Sequence, residues 1–213
     1  MAVQQAVAFE VNPGGRDALL AAIAQVKAID EQAGASTRVA GVTAGPNVGS
    51  ITVSTTHASW ESLAEFLEKN PTRAQPVLDL LRSATPPARL TANTVRAEVL
   101  ARDSDGLDLP AFTSALIFDP GSGTAAQATE ALGATRDLFE TLGSVSRIWT
   151  LANGPNLGRV AIASGFDNLA GWARFRARLT EHTEAGNALP VAPFMADGTI
   201  RIGGLIQTTA IDL

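Results

Sequence analysis

The sequence predicts an α+β protein: two β-α-β-β-α-β units packed sheet to sheet as one eight-stranded barrel with a pseudo-two-fold axis. Three observations predict it. A five-residue turn occurs twice, as GPNVG at 45–49 and GPNLG at 154–158. Sliding the chain by 109 positions then aligns residues 9–66 on 118–175 without a gap, with identities that include Phe9/Phe118, Arg38/Arg147, Asn47/Asn156 and Phe66/Phe175. Finally, both alternating residue sets of each second strand carry apolar side chains. Arg38, Ala40 and Val42 stand against Val39, Gly41 and Thr43, and Arg147, Trp149 and Leu151 against Ile148, Thr150 and Ala152. Both faces of such a sheet need cover.

The elements follow in order. AVQQAVAFEV alternates and is rich in Val and Phe, hence a strand. NPGGRD punctuates, and Leu19, Leu20, Ile23, Val26 and Ile29 recur at helical spacing until Gly34. STRVAGVTA and VGSITVSTT flank the first turn as a hairpin, in which Gly tolerates positive φ, Pro suits the corner and Asn is the next most tolerant residue. SWESLAEFLEKN opens on Ser59 as N-cap and presents Trp60, Leu63, Phe66 and Leu67 as an apolar stripe. Pro71 and Pro76 interrupt it, so VLDLLRSA forms a second helical piece, and TVRAEVLA is the last strand. The order is that of a ferredoxin-like unit. AFTSALIFD, TAAQATEALGATRDLFETLG, SVSRIWTLA, RVAIASGF, NLAGWARFRARLTEHTEAG and LIQTTAIDL repeat it. The units are 1–102 and 111–213, with a polar linker at 103–110.

With 213 residues, 46% hydrophobic and 17% charged, the composition is that of a well-packed globular chain. A net charge of −5 argues against a nucleic-acid partner. The N-terminus has neither a basic region nor a long apolar run, and no segment approaches the ~20 apolar residues of a spanning helix. No membrane partner and a cytoplasmic location are therefore expected. The absence of cysteine removes disulfides and thiolate chemistry, and two histidines without cysteine make no convincing zinc or iron site.

The segments AGPNVGSITVSTTHASWESLAEFLEKN and NGPNLGRVAIASGFDNLAGWARFRARL resemble the dimeric α+β barrel superfamily, in the order of turn, apolar strand, aromatic residue and helix. That superfamily includes antibiotic-biosynthesis monooxygenases and the NIPSNAP-like, EthD-like and stress-responsive proteins. The resemblance implies a fused, single-chain version of a barrel that most members assemble from two copies, with a cleft in each half. It implies a small-molecule enzyme that works without cofactor, either as a monooxygenase or as a cyclase, on an aromatic or polyketide-like substrate. A non-catalytic ligand-binding or stress-response barrel is the competing implication. Further homodimerisation stays open.

Few polar residues are candidates for chemistry. His57 ends the third strand where the second unit has Phe166, and an imidazole titrating near neutrality can act as a general base. Arg38 and Arg147 occupy matched positions and offer a planar fork of donors to a carboxylate or enolate. Trp149, on the same side as Arg147, can stack on a flat substrate. Asn156, at the second turn, and Trp172 complete the set, in which His57, Arg147 and Asn156 are the catalytic candidates and Trp149, Arg38 and Trp172 bind substrate. Resemblance to the haem-degrading members adds an alternative. There a Trp precedes a haem-ligating His by the spacing of Trp172 and His182, whereas the Asn that pattern needs on the first strand is replaced here by Thr113 and Ser114.

Overall fold

A computed structural model describes residues 1–101, 110–120, 125–153, 157–196, 198 and 200–213. The first half contains β1 (Val3–Val11), α1 (Arg16–Gln32), β2 (Ser36–Ala44), β3 (Ile51–His57), α2 (Trp60–Lys69), α3 (Gln75–Leu81) and β4 (Ala88–Val99). The second contains β5 (Phe112–Pro120), α4 (Ala125–Thr141), β6 (Val145–Leu151), β7 (Val160–Phe166), α5 (Leu169–Glu184), α6 (Ala192–Ala196) and β8 (Ile200–Ala210). The expected linker at 103–110 lies outside the described residues except for Pro110.

The eight strands form one closed barrel in the order β1-β3-β2-β8-β5-β7-β6-β4, every neighbouring pair antiparallel. Exchanging β1–β4 with β5–β8 leaves this ring order unchanged. The two halves meet at their edges, where β2 pairs with β8 and β4 with β6. Mutual shielding therefore comes from a sheet closed on itself, not from two separate sheets stacked face to face. Among the described residues, closure leaves no strand edge unpaired. Because direction alternates around the ring, β2 and β6 run the same way, and the β2–β3 and β6–β7 connections emerge at the same end. The register shifts at matched points, between Ala8 and Phe9 in β1 and between Ile117 and Phe118 in β5. Such bulges sharpen the local twist that closure needs.

Three apolar clusters fill the molecule. Between sheet and helices, the first half packs Phe9, Leu19, Ile23, Val26, Val39 and Ile51, and the second packs Phe112, Leu132, Phe139, Ile148, Phe166 and Phe175. A smaller group, Ala2, Trp149, Leu151, Ala161 and Ala163, lies inside the barrel. Ser59 caps α2 by accepting from the Ser62 amide at 3.2 Å, and Asn168 does the same for α5 from the Gly171 amide at 2.9 Å.

Several local expectations change, and β8 runs from Ile200 to Ala210 instead of along LIQTTAIDL. β4 begins at Ala88, well before the TVRAEVLA run, because its first residues are largely exposed and show no alternation, yet they still pair with β1. The five-residue α6 carries too little periodicity to be read. In the first turn the left-handed conformation falls on Gly45 (φ 103°) and Gly49 (φ 88°), and Asn47 does not share it. At Gly45 a Cβ would stand 2.2 Å from the Leu205 carbonyl oxygen, so close backbone approach also demands glycine.

Candidate functional site

Two enclosed spaces lie on opposite faces of the sheet. The first is a cleft of about 180 Å³ between sheet and helices in the first half. Phe9, Ile23, Val26, Val53, Val77 and Leu78 make it apolar, and Gln5, Thr55, Arg73 and Asn93 are its polar groups. Its floor rests on Asp30, which is fully buried on the same stripe of α1 as Leu19, Ile23 and Val26. A carboxylate there must be paired, because burying an isolated charge is prohibitively costly. Arg73 Nη1 donates to Asp30 Oδ1 at 3.0 Å and Oδ2 at 2.9 Å, and the Thr37 and Thr55 hydroxyls donate to Oδ2 at 3.2 and 3.1 Å. Arg73 Nη2 donates to Gln5 Oε1 at 2.6 Å, and its guanidinium lies 4.9 Å from the centre of the Phe66 ring. Pro71 is what makes this reach available. α2 stops at Lys69, and the following turn brings Arg73 back over the sheet.

His57 sits beside this network and lines neither space. It is 3% exposed, with its ring 4.7 Å from that of Phe66. Burial lowers its pKa below the usual 6.5, the Arg73 charge lowers it further, and Asp30 opposes both. The balance favours the neutral imidazole, and its Nε2 has no hydrogen-bond partner among the described residues.

The second space is the barrel lumen, with a cavity of about 230 Å³. β2 and β6 aim Arg38 and Arg147 into the interior, together with Trp149, while β4 contributes Arg96 and Glu98. Arg38 Nη1 donates to Thr208 Oγ1 at 3.3 Å, and Nη2 donates to the Ala111 carbonyl at 3.0 Å. Arg96 Nε donates to Gln4 Oε1 at 2.7 Å, and its guanidinium covers the Trp149 ring at 5.2 Å. Desolvation, and then the Arg38 charge, lower the Arg96 pKa to about 10, which still leaves it protonated at neutrality. Arg147 is 2% exposed, with Nη1 3.8 Å from Glu98 Oε1, a charge contact beyond hydrogen-bond distance. Arg147 Nε and Nη1 and Trp149 Nε1 are buried donors without hydrogen-bond partners among the described residues. Each such group costs about 1–3 kcal/mol. Asn47, from the first turn, lines the cavity.

The sequence candidates therefore divide. Arg38, Arg147 and Trp149 lie on the inner face of the barrel, where Arg38 lines the cavity, whereas His57 lies on the opposite face of the sheet. Asn156 lies outside the described residues. Trp172 packs 5.9 Å from Phe112 on the aromatic core of the second half. His182 is half-buried in the last turn of α5. A haem in that half would need a flat slot between sheet and α5, and that layer is occupied by Phe112, Phe139, Phe166 and Phe175 at ring separations of 5.1–6.5 Å. The residues present do not fit the macrocycle.

Sequence reasoning missed Asp30, Arg73, Gln5 and Asn93, and also Arg96 and Glu98. Asp30 had a signal, an acid on the apolar stripe of a helix. Arg96 and Glu98 alternate with Val95, Ala97 and Val99, but alternation alone cannot say that the charged face is enclosed.

No protein-family model matches the chain, and no curated protein matches it in sequence. Solved structures do match in fold. A candidate monooxygenase from Fusobacterium nucleatum subsp. nucleatum superposes with a TM-score of 0.67 at 8% identity, over 99% of this chain and 93% of that one. An anthrone oxidase-like protein gives 0.61 at 14% identity, over 99% and 92%. A heme-binding protein from Thermus thermophilus gives 0.57 at 11% identity, over 99% and 91%. At these identities the likeness is one of α+β barrel fold.

Proposed function

We propose that this chain is a tandem fusion of two ferredoxin-like units that binds a small aromatic or polyketide-like molecule in the cleft of its first half. In this reading it acts on that molecule without a cofactor, in the manner of antibiotic-biosynthesis-type monooxygenases. The matched bulges in β1 and β5 and the interchangeable strand order support the fusion. The observation that carries the functional reading is the cleft itself, an apolar slot with a few convergent polar groups. The Asp30–Arg73 pair presents its guanidinium end to that slot, where it would favour a phenolate or enolate. In the oxygenase reaction a ring CH₂ is oxidised to C=O while O₂ is reduced, one oxygen atom staying in the product and the other leaving as water.

In this reading His57 is not a base in direct contact with substrate. Its burial favours the neutral imidazole, but its ring faces Phe66 outside the cleft lining. The substrate's own acidity must then supply the anion. A second reading follows from the same fact: the cleft-lining polar groups are neutral or already ion-paired, which suits a barrel that binds its ligand without turnover.

Oxygen uptake and product analysis with a panel of phenols, hydroquinones and anthrones test both readings. Leu78→Trp fills the cleft and is expected to abolish binding and turnover while leaving the circular dichroism spectrum unchanged. Binding without oxygen uptake would select the second reading. Failure of every compound to bind, or normal turnover in Leu78→Trp, would end both.

A further inference from the structure

The lumen stands on different residues from the cleft, and its chemistry is different. Among the described residues it holds three guanidinium groups, from Arg38, Arg96 and Arg147, against one carboxylate, from Glu98. Glu98 lies beside Arg147. Arg96 spends its hydrogen bonds on the neutral Gln4 side chain and its flat face on Trp149. Arg38 and Arg96 both line the cavity of about 230 Å³, so two like charges share one enclosed space. Desolvation, and after it the Arg38 charge, lowers the pKa of Arg96. Away from these groups the wall is mainly apolar, with Ala8, Val42, Ile117, Leu151 and Ile206, and Thr52, Ser54 and Thr94 add hydroxyls among them. Asn47 brings the first hairpin turn to the cavity, and the exposed Val48 and Leu157 stand at that same end of the barrel.

We infer that the barrel lumen is a second binding site, for a small organic monocarboxylate whose head lies between Arg38 and Arg96 and whose apolar body points toward the hairpin end. The site is charged at one pole and greasy along its length, which is the polarity of such a molecule. Guanidinium is the best match for a carboxylate, because its planar donors can engage both oxygens. The cavity has room for a body of benzoate size. Nothing in this assignment depends on the cleft having an oxygenase function.

Calorimetric titration of the full chain with benzoate, and with benzamide as its neutral counterpart, tests the site. Benzoate is expected to bind, with benzamide weaker by roughly tenfold or more. Arg96→Met is expected to lower benzoate affinity by a similar factor. The wild-type contrast between the two probes keeps the test intact if that variant fails to fold. Leu78→Trp, which fills the cleft, should bind benzoate as the wild type does. Absence of benzoate binding at millimolar concentration would overturn the inference, as would equal affinity for benzamide. Full competition by chloride or inorganic phosphate, or loss of benzoate binding in Leu78→Trp, would also overturn it.

Discussion

The two halves of the barrel share a backbone plan and differ in what fills the layer between sheet and helices. In the first, Asp30 draws Thr37, Thr55 and Arg73 around it, and the aliphatic side chains alongside leave a cleft. At an offset of 109, Asp30 becomes Phe139, His57 becomes Phe166 and Val3 becomes Phe112, and these rings pack with Phe175 into an aromatic core. Thr37 and Thr55 become Ser146 and Ser164, whose hydroxyls now bond each other at 2.8 Å, with Ser144 joining at 2.7 Å. One buried carboxylate thus dictates the chemistry of its whole neighbourhood, because each polar group placed near it must be satisfied in turn. Replace it by a phenyl ring, and the same backbone closes over a solid core.

The sharpest way to break this comparison is to remove the arginine. Arg73→Leu strands Asp30 in the core and is expected to cost about 3–5 kcal/mol in urea denaturation. Adding Asp30→Phe imports the solution of the second half and should recover most of that loss. If the single variant is as stable as the wild type, the floor of the cleft is not an ion pair. A smaller effect is expected at His57, where Phe is the counterpart residue. His57→Phe removes a buried nitrogen without a partner while keeping the ring stack on Phe66, and should stabilise the fold by about 1 kcal/mol.

The smallest effect is on pH dependence. Because the folded His57 has a pKa below 6.5, the unfolded chain binds more protons in the window between that lowered value and 6.5. Wild-type stability should therefore fall as the pH drops below 6.5, and this component should be missing from His57→Phe. Denaturant midpoints measured from pH 7.5 downward check it. Parallel profiles for the two proteins would show that His57 titrates as it does in the unfolded chain.

Much of this was legible before any coordinates. The hairpin around Gly45 and Gly49, the Ser59 cap and the break at Pro71 are local chemistry, and each stands where the pattern put it. The candidate site was legible in part. Period-two alternation groups Arg147 with Trp149 and matches Arg38 to Arg147, since a strand sends every second side chain to one face, and all three share the lumen. The same alternation puts His57 on the face of Ile51, Val53 and Thr55, the helix side, away from the lumen arginines. Arg73 could not be paired with Asp30 from sequence, because the contact spans two helices and a turn.

Periodicity and turn residues decided the elements and their repetition, because those signals act within a few residues of the chain. Ring closure decided which strand face became interior, and it converted Arg96 and Glu98 from a solvent-like pattern into the wall of a lumen. Helix packing decided which half kept a cleft. Both outcomes depend on side chains far apart in sequence competing for the same buried volume.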